Sequence, residues 1–336
     1  MRHVETIIVG GGPAGSSCAA ELVRARSDVV VLDKARFPRL KLCAGWITQK
    51  VMDDLALTPE TYPHGIEKLT IKTHLRGVPF AFNGLPTVGE NYSIRRTEFD
   101  NWLLKRSGAE IIEHQVKVIE HDEAGGRYVI DGEYSCVNIV GAGGTMCPVR
   151  KTLFPAERMK SRQIATLEKE FEYPQRGGTC HLYFLLRGLE GYAWYVPKAN
   201  GYVNIGIGGK SRWFRNTGEK IHDHWRAFIG DLVAGGMLDE DTAEGLKEGG
   251  HPYFLYTHDG EVKNANAYII GDAAGLATVD LGEGLGPAIE SGILAAKDIL
   301  GQASYEKTAM TKYSFGGVMQ ALARRTIGRY HTRGRA

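Results

Sequence analysis

The chain has 336 residues, of which 43% are hydrophobic and 24% are charged, and its formal net charge is +2. This length allows one large domain or two closely associated ones, and the charge balance gives no indication of nucleic-acid binding. The first strand begins almost at the N-terminus and no run reaches the roughly 18 apolar residues of a membrane-spanning helix, so we expect a cytoplasmic protein. Five cysteines without a Cys-x-x-Cys pair argue against a disulfide framework and a zinc site, and we predict no metal.

The chain opens with a pattern typical of a βαβ unit. Residues 6–9 and 29–32 are short apolar runs that predict buried strands, and residues 14–24 between them have helical spacing. The sequence GGGPAG at residues 10–15 fits G-x-G-x-x-G directly before the helix. Glycines there permit a tight turn and let backbone N–H groups approach a pyrophosphate at the positive end of the helix. We therefore predict a dinucleotide site.

An acidic residue follows the second strand. Asp33 stands 18 residues after Gly15, about where a carboxylate accepts hydrogen bonds from a ribose. Because a carboxylate repels a 2′-phosphate, the adenosine should be that of FAD or NAD rather than NADP.

The middle of the chain predicts a second sheet inserted into the first domain. Apolar and polar residues alternate over residues 68–82, around an Arg-Gly turn, and again over residues 164–207, where Asn200-Gly201 is a hairpin signal. The remaining predicted elements are a helix at 96–104, a buried strand at 138–140, helices at 213–232 and 238–246, and a strand at 267–270.

Two linked motifs near the end of the chain favour FAD over NAD. The sequence GDAAG at residues 271–275 ends a buried strand and leads into GEGLGPAIESG at residues 282–292. An aspartate at the carboxyl end of a strand can hold sugar-alcohol hydroxyls, and a glycine-rich helix start offers free N–H donors and partial positive charge. A flavin needs both, because its ribityl chain is polyhydroxylated and its N1/O2 edge gains negative charge on reduction.

These motifs, together with Arg96 in RTEFDNWLL, resemble the three fingerprints of the FAD-dependent oxidoreductases of the p-hydroxybenzoate hydroxylase fold. Within that group, KLCAGWIT (residues 41–48), GEGLGPAIESG and GYAWYVP (residues 191–197) resemble the geranylgeranyl reductase family. The resemblance implies an α/β fold, in which a Rossmann-like FAD-binding domain carries an inserted antiparallel β-sheet substrate domain and C-terminal helices. The expected boundaries are residues 1–65, 92–158 and 262–336 for the FAD-binding domain, and residues 66–91 and 159–261 for the substrate domain.

The resemblance also implies which residues bind FAD. The first glycine loop would hold the pyrophosphate, Asp33 the adenosine ribose, Arg96 the ribityl-phosphate region and Asp272 the ribityl chain. KLCAGWIT and the second glycine loop would lie at the flavin ring. The predicted cofactor-binding residues are Gly10, Gly12, Pro13, Ala14, Gly15, Asp33, Lys34, Lys41, Cys43, Ala44, Gly45, Arg96, Lys117, Asp272, Gly282, Gly284, Leu285 and Gly286.

The predicted catalytic residues come from KLCAGWIT and GYAWYVP. The second segment would be a strand facing the flavin, with Tyr192 and Trp194 directed toward an apolar cavity. The predicted catalytic residues are Cys43, Tyr192 and Trp194, and the candidate proton donors are Cys43, Tyr192 and Tyr195. We expect Gly45 to let the ring approach Cys43 and Trp46 to help close the pocket. His181, His222, His224 and His251 lack metal-like spacing and are interpreted as ordinary surface or core residues.

The function implied by the resemblance is that of an FAD-dependent reductase or dehydrogenase. Its substrate would be an apolar prenyl, lipid or quinone-like molecule that receives a hydride from flavin N5. The chain has no second G-x-G-x-x-G, so electrons would come from the substrate or from a donor that docks transiently, NAD(P)H or a reduced redox protein. Two alternatives stay open, a flavin-dependent monooxygenase or halogenase and a non-catalytic flavoprotein that senses redox state or assists another enzyme's maturation.

The C-terminal tail is the one charge anomaly. From Lys307 to Ala336 there are two lysines and five arginines and no acid. Such a tail is either a solvated terminus or a patch for an anionic lipid surface or an acidic partner. The second interpretation predicts peripheral membrane contact.

Overall fold

The computed structural model describes residues 1–80, 90–122, 125–154, 162–174 and 177–310. The strands in this part of the chain are β1 (Arg2–Val9), β2 (Val29–Asp33), β3 (Trp46–Thr48), β4 (Glu67–Lys68), β5 (Thr70–Leu75), β6 (Val78–Phe80), β7 (Asn91–Ser93), β8 (Glu110–Glu113), β9 (Ile119–Asp122), β10 (Arg127–Ile130), β11 (Tyr134–Gly141), β12 (Gln163–Glu172), β13 (Thr179–Phe184), β14 (Gly191–Lys198), β15 (Tyr202–Lys210), β16 (Gly249–Phe254), β17 (Lys263–Asn264) and β18 (Ala267–Ile269). The α-helices are α1 (Pro13–Arg24), α2 (Gln49–Asp54), α3 (Arg96–Arg106), α4 (Pro148–Leu153), α5 (Ser211–Thr217), α6 (Ile221–Ala234), α7 (Glu240–Gly245) and α8 (Leu285–Ile299).

The first sheet has a parallel centre with the order β18-β11-β1-β2-β8. β17 and the β9–β10 pair extend it with antiparallel strands. Its central strands are apolar on both faces, as Ile7, Ile8, Val30 and Val31 show, because helices and further chain cover both sides. The predicted Rossmann-like α/β fold is confirmed.

Helices α1 and α8 pack closely against each other beside this sheet. A Cβ atom at Gly292 in α8 would collide with the carbonyl oxygen of Ala14 in α1, so glycine is required for this close approach. The packing fixes the N-termini of both helices near the carboxyl ends of β1 and β18. Both glycine motifs therefore lie at one edge of the sheet.

The second sheet has the order β16-β12-β15-β14-β13-β5-β6. Its neighbours are antiparallel, as predicted, except that β5 pairs with β13 in parallel. Trp225 and Phe228 of α6 join the hydrophobic cluster on one face. The other face carries Leu182, Trp194 and Val196, which pack with Trp46 and Leu281 from the rest of the molecule. A small third sheet, β3-β7-β4, includes the last three residues of KLCAGWIT as β3.

The helix predicted at residues 213–232 is two helices. Gly218 has a φ of 76° and ends α5 in the left-handed conformation, and α6 begins at Ile221. Several elements were not predicted, namely the strands β3, β7, β8, β9, β10, β16 and β17 and the helices α2 and α4. The assignment of the two sheets to separate domains with the boundaries given above stays a prediction.

The basic tail lies outside the described residues from position 311 onward. Lys307 is described and buried, and its Nζ donates to the carbonyl of Asp259 at 2.8 Å, so this lysine does not belong to a solvated tail. In the described ranges no helix has the length and apolar character needed to cross a membrane.

Candidate active site

One cavity of about 1010 Å³ joins the carboxyl edge of the first sheet to the inner face of the second. This volume lies at the upper end of the range of small-molecule sites, roughly 300–1,000 Å³. Gly12 and Asp33 line one part of the cavity, and Leu182, Tyr192 and Trp194 line another. The cavity therefore has room for a dinucleotide and contact with an aromatic wall.

Most of the predicted site residues line this cavity. They are Gly10, Gly12, Pro13, Ala14, Asp33, Lys34, Lys41, Cys43, Ala44, Arg96, Lys117, Tyr192, Trp194, Asp272, Gly282, Gly284 and Leu285, and Trp46 lines it as well. Four of the predicted residues lie in the described ranges but do not line the cavity, and the structure gives a physical reason for each. They are Gly15, Gly45, Tyr195 and Gly286.

The first glycine loop forms a cradle that fits a pyrophosphate. Gly10 has a φ of 114°, and a Cβ there would stand 2.5 Å from the carbonyl oxygen of Ala142. No side chain of the described residues caps α1 at Gly12, so its first N–H groups are available to an anion. A Cβ at Gly15 would collide with the carbonyl oxygen of Gly10. Gly15 thus lets the strand and helix pack, and does not reach the cavity.

The Asp33 carboxylate is held in place at the same end. It accepts hydrogen bonds from the backbone N–H groups of Gly11 at 2.7 Å and Ala35 at 2.8 Å. The carboxylate lines the cavity with its orientation fixed, as recognition of ribose hydroxyls requires.

Arg39 is a further basic residue of this part of the site, and the sequence did not predict it. Its Nη2 lies 3.4 Å from the position that a Cβ at Gly12 would occupy, and its Nη1 lies 3.5 Å from Asp100 Oδ2. Burial lowers the pKa of Arg39, and the charge of Asp100 opposes this change. A guanidinium above an uncapped helix start suits a pyrophosphate. No motif contains Arg39; its position in a short basic loop after Asp33 was the available signal.

Arg96 is fixed by a bidentate ion pair. Its Nε and Nη2 donate to the two oxygens of Asp100 at 2.6 and 2.8 Å, and Arg96 is only 6% exposed. Burial alone would lower the pKa of Arg96, but Asp100 and contact with the Cys43 thiol outweigh burial and raise it. Arg96 therefore presents a permanent positive charge beside the KLCAGWIT loop.

A buried lysine of the second sheet holds the KLCAGWIT loop. Lys198 donates to the carbonyl oxygens of Ala44 at 2.5 Å and Ile94 at 2.8 Å. Gly45 has a φ of 65°, and a Cβ there would collide with the Ile94 oxygen and with Lys198 Nζ. The expectation that Gly45 lets the flavin ring approach is therefore wrong, because the space beside Gly45 is taken by Lys198. Cys43 itself lines the cavity, and its Sγ accepts from the Gly45 N–H at 3.3 Å.

Lys41, His251 and Asp272 form a line of polar groups in the cavity wall. Lys41 Nζ lies 2.6 Å from His251 Nε2, which lies 4.0 Å from Asp272 Oδ2. Burial works to raise the pKa of Asp272, but His251 and Lys41 outweigh it and lower that pKa. Asp272 is therefore an anionic acceptor, which fits a polyhydroxylated ribityl chain. The sequence did not place His251 at the site; the unpredicted edge strand β16 brings it to the cavity.

The indole ring of Trp194 lies over Gly206, a residue without a side chain in the neighbouring strand of the second sheet. Trp194 in β14 pairs with Gly206 in β15, and a Cβ at Gly206 would collide with the indole ring. The indole Nε1 donates to Asn204 Oδ1 at 2.7 Å. The ring thus lies along the sheet and forms part of the cavity floor.

Tyr192 and Tyr195 differ because side chains alternate along a strand. Tyr192 lines the cavity on the same face as Trp194, and its hydroxyl donates to the carbonyl of Leu281. Tyr195 faces the opposite side, in the cluster with Phe228 of α6. Tyr195 is therefore excluded as a proton donor.

Two acidic residues of the cavity wall were missed by sequence reasoning. Glu168 in β12 is 2% exposed and accepts from Asn204 Nδ2 at 3.1 Å. Burial raises its pKa to about 7. Glu283 accepts from the Gly286 N–H at 2.5 Å, and burial raises the pKa of Glu283 to about 7 as well. The predicted free N–H donors at the start of α8 are thus partly occupied, which also keeps Gly286 behind the Glu283 carboxyl.

Comparisons with known proteins agree with this geometry. A family model described as an NAD(P)-binding Rossmann-like domain matches residues 8–63. The menaquinone reductase of Mycolicibacterium smegmatis is 27% identical, over 88% of this chain and 76% of the relative. Digeranylgeranylglycerophospholipid reductase 3 of Methanosphaera stadtmanae is 24% identical, over 88% of this chain and 77% of the relative. A geranylgeranyl bacteriochlorophyll reductase-like protein from Thermoplasma acidophilum has the same fold, with a TM-score of 0.67, 18% identity and coverage of 89% of this chain and 78% of that one.

Proposed function

We propose that the chain is an FAD-dependent oxidoreductase of the geranylgeranyl reductase-like group, and that it reduces an apolar substrate with a prenyl or quinone-like group. FAD, when bound, supplies the hydride chemistry, and the protein supplies orientation, an apolar surface and protons. The similarity to reductases named for menaquinone and for a digeranylgeranyl lipid supports this substrate class.

The observation that carries the proposal is the aromatic wall of the cavity. Trp194, Tyr192 and Leu182 line the cavity from neighbouring strands of the second sheet, and Leu281 lines it from the loop before α8. Their apolar surface favours a substrate without charge at the group that reacts. Substrate bound against this wall would lie between the second sheet and the two glycine motifs.

The polar groups of the cavity have separate tasks in this proposal. Asp33 and Arg39 bind the adenosine and pyrophosphate part of FAD, and Asp272 accepts hydrogen bonds from its ribityl chain. Lys198 keeps the KLCAGWIT loop against the second sheet through its hydrogen bond to the Ala44 carbonyl.

The direct test is reduction of a substrate panel by the FAD-loaded protein under anaerobic conditions. Protein reduced with dithionite is mixed with menaquinone analogues and with geranylgeranylated lipids, and flavin reoxidation and product mass are followed. We expect substrate-dependent reoxidation and a product heavier by two hydrogen atoms. We also expect Trp194→Leu to raise KM by about 10-fold, since aromatic contacts contribute roughly 0.5–1.5 kcal/mol beyond buried area.

The matched control is Trp213→Leu, since Trp213 lies in α5 among the residues packed on the opposite face of the sheet. This change should leave KM unaltered. If the flavin is reoxidised only after air is admitted, with a hydroxylated or halogenated product, the oxygenase alternative would replace the reductase proposal. Absence of turnover with every acceptor would favour the non-catalytic alternative.

A further inference from the structure

Glu168 occupies a position in the cavity wall that the proposed function has not used. β12, β15 and β14 are neighbours, and Glu168, Gly206 and Trp194 are directly paired across them. Paired residues of antiparallel strands point to the same face of the sheet. Since Gly206 has no side chain, the Glu168 carboxyl and the Trp194 indole are adjacent across the cavity floor, and both line the cavity.

The hydrogen bonds of Glu168 leave one carboxyl oxygen available. Among the described residues its one hydrogen-bond donor is Asn204, which binds Oε2 at 3.1 Å. The same Asn204 side chain accepts from Trp194 Nε1 and lies 3.4 Å from the Cys43 carbonyl oxygen. Asn204 therefore fixes the carboxyl relative to both the aromatic floor and the KLCAGWIT loop.

Tyr192 and Cys43, the proton donors that the sequence predicted in the cavity, are less suitable. The Tyr192 hydroxyl is committed to the Leu281 carbonyl, and burial raises the pKa of Tyr192 well above its usual range. Cys43 accepts from the Gly45 N–H and contacts the Arg96 guanidinium, so its sulfur lies among donors. Efficient general acids have pKa values near the working pH, and burial brings the pKa of Glu168 to about 7.

We propose that Glu168 is the proton donor of the reduction, an inference that rests on the function proposed above. Reduction of a double bond or a quinone adds one hydride and one proton to the substrate. The hydride comes from the reduced cofactor, whose electrons NAD(P)H or a reduced redox protein replaces. The O–H bond of Glu168 breaks as its proton forms a new C–H or O–H bond on the substrate, and the resulting carboxylate regains a proton from water.

The surroundings of Glu168 influence both its protonated and its ionised form. Burial is the main cause of the raised pKa; the Asn204 amide and the charges of Lys198, Lys41 and Arg96 work in the opposite direction. Tyr253 of β16 also faces the carboxyl. The three cations stabilise the carboxylate that remains after proton transfer.

The test compares Glu168→Gln with wild type in the FAD-loaded protein. Glutamine keeps the shape and can still accept from Asn204, but it has no acidic proton. We expect the single-turnover rate with the best substrate at about pH 7 to fall by 10²-fold or more, because general acids contribute about 10²–10⁴. FAD affinity should stay within about threefold.

The pH profile supplies a second readout. Wild-type turnover should decline as the pH rises above about 7, where Glu168 loses its proton, and Glu168→Gln should lack this limb. Infrared difference spectra of the two proteins, recorded between acidic and alkaline pH, should show a buried protonated carboxyl that Glu168→Gln removes. Glu283→Gln should remove a different carboxyl band, which makes the assignment specific.

The outcomes separate this inference from the proposed function. Turnover by wild type with Glu168→Gln within about threefold would overturn the proton-donor role and leave the reductase proposal standing. The same conclusion follows if Cys43→Ser alone loses the rate and the alkaline limb. Failure of wild type to reduce any prenyl or quinone substrate would overturn both proposals, and the infrared titration would still report the protonation of Glu168.

Discussion

At the scale of single residues, glycines shape the floor of the cavity. Gly206 and Gly208 alternate on the inner face of β15, opposite Trp194 and Tyr192 of β14. A Cβ at Gly206 would overlap the indole, whereas a Cβ at Gly208 would lie 3.5 Å from it, in ordinary contact. The orientation of the indole along the sheet therefore depends on the missing side chain at Gly206.

Replacing Gly206 with alanine should lift the Trp194 ring from the sheet. The indole would lose its 2.7 Å hydrogen bond to Asn204, and overpacking of this kind costs about 1–3 kcal/mol. We expect a lower unfolding midpoint in urea and a shifted Trp194 fluorescence maximum. Gly230→Ala is the control, because Gly230 is exposed in α6 with no atom near its Cβ position. That change should stabilise the helix by up to about 1 kcal/mol, and a similar loss in both variants would contradict our account.

The residues that sequence reasoning identified belong to local motifs. Asp33 and Gly12 follow from a strand, a glycine loop and a helix that are contiguous in the chain. Glu168, Arg39 and His251 belong to no such motif. They reach the cavity through the pairing of distant strands and the path of a loop, and a single sequence does not encode that register locally.

At the scale of elements, the KLCAGWIT loop depends on a contact from another sheet. Lys198 in β14 is 1% exposed and donates to the carbonyl oxygens of Ala44 in the loop and of Ile94, which follows β7. Glu170 lies 3.7 Å from its Nζ. Burial lowers the pKa of Lys198, and the charge of Glu170 opposes that change. This lysine connects the substrate sheet to the loop that carries Cys43.

Lys198→Met should loosen that loop. Two buried carbonyl groups would lose a donor, and each unsatisfied group costs about 1–3 kcal/mol. All five cysteines lie in the described part of the chain. Four of them are buried, so Cys43 is the one partly exposed thiol. We expect faster reaction of Cys43 with a thiol reagent in the folded variant. The control is Lys210→Met, which removes an exposed ion pair with Glu190. It should change the free energy of unfolding by no more than about 1 kcal/mol and leave the labelling rate of Cys43 unchanged. Equal labelling of wild type and Lys198→Met would show that the loop is held by other contacts.

Elements with strong local signals were predicted, and those formed by tertiary pairing were not. β14 and β15 alternate clearly along the sequence. β16 contains Gly249, Gly250 and Pro252, which disfavour strands in isolation, and it exists because it pairs with β12 at the sheet edge. The break between α5 and α6 requires the left-handed conformation of Gly218. It was not predicted because the sequence has helical periodicity on both sides of Gly218.

At the scale of the whole molecule, the two sheets contribute different ends of one cavity. The first sheet provides Gly12 and Asp33, and the second provides Trp194 and Glu168. The KLCAGWIT loop lies between them and places Cys43 in the cavity wall. A ligand that fills only the first end should therefore stabilise the protein without covering Cys43.

This difference predicts how two ligands affect the protein from which FAD has been removed. ADP matches only the adenosine and pyrophosphate half of FAD, so it should raise the melting temperature while leaving the reaction of Cys43 with a thiol reagent unchanged. FAD should raise the melting temperature further, since a ligand at 100 times its Kd stabilises by about 2.7 kcal/mol, and should slow the labelling of Cys43 by about 10-fold or more. Asp33→Asn should weaken both ligands, because both use the ribose contact. Equal protection of Cys43 by ADP and FAD would instead place the thiol at the adenosine end, and with it would remove the KLCAGWIT loop from the reacting part of the cavity.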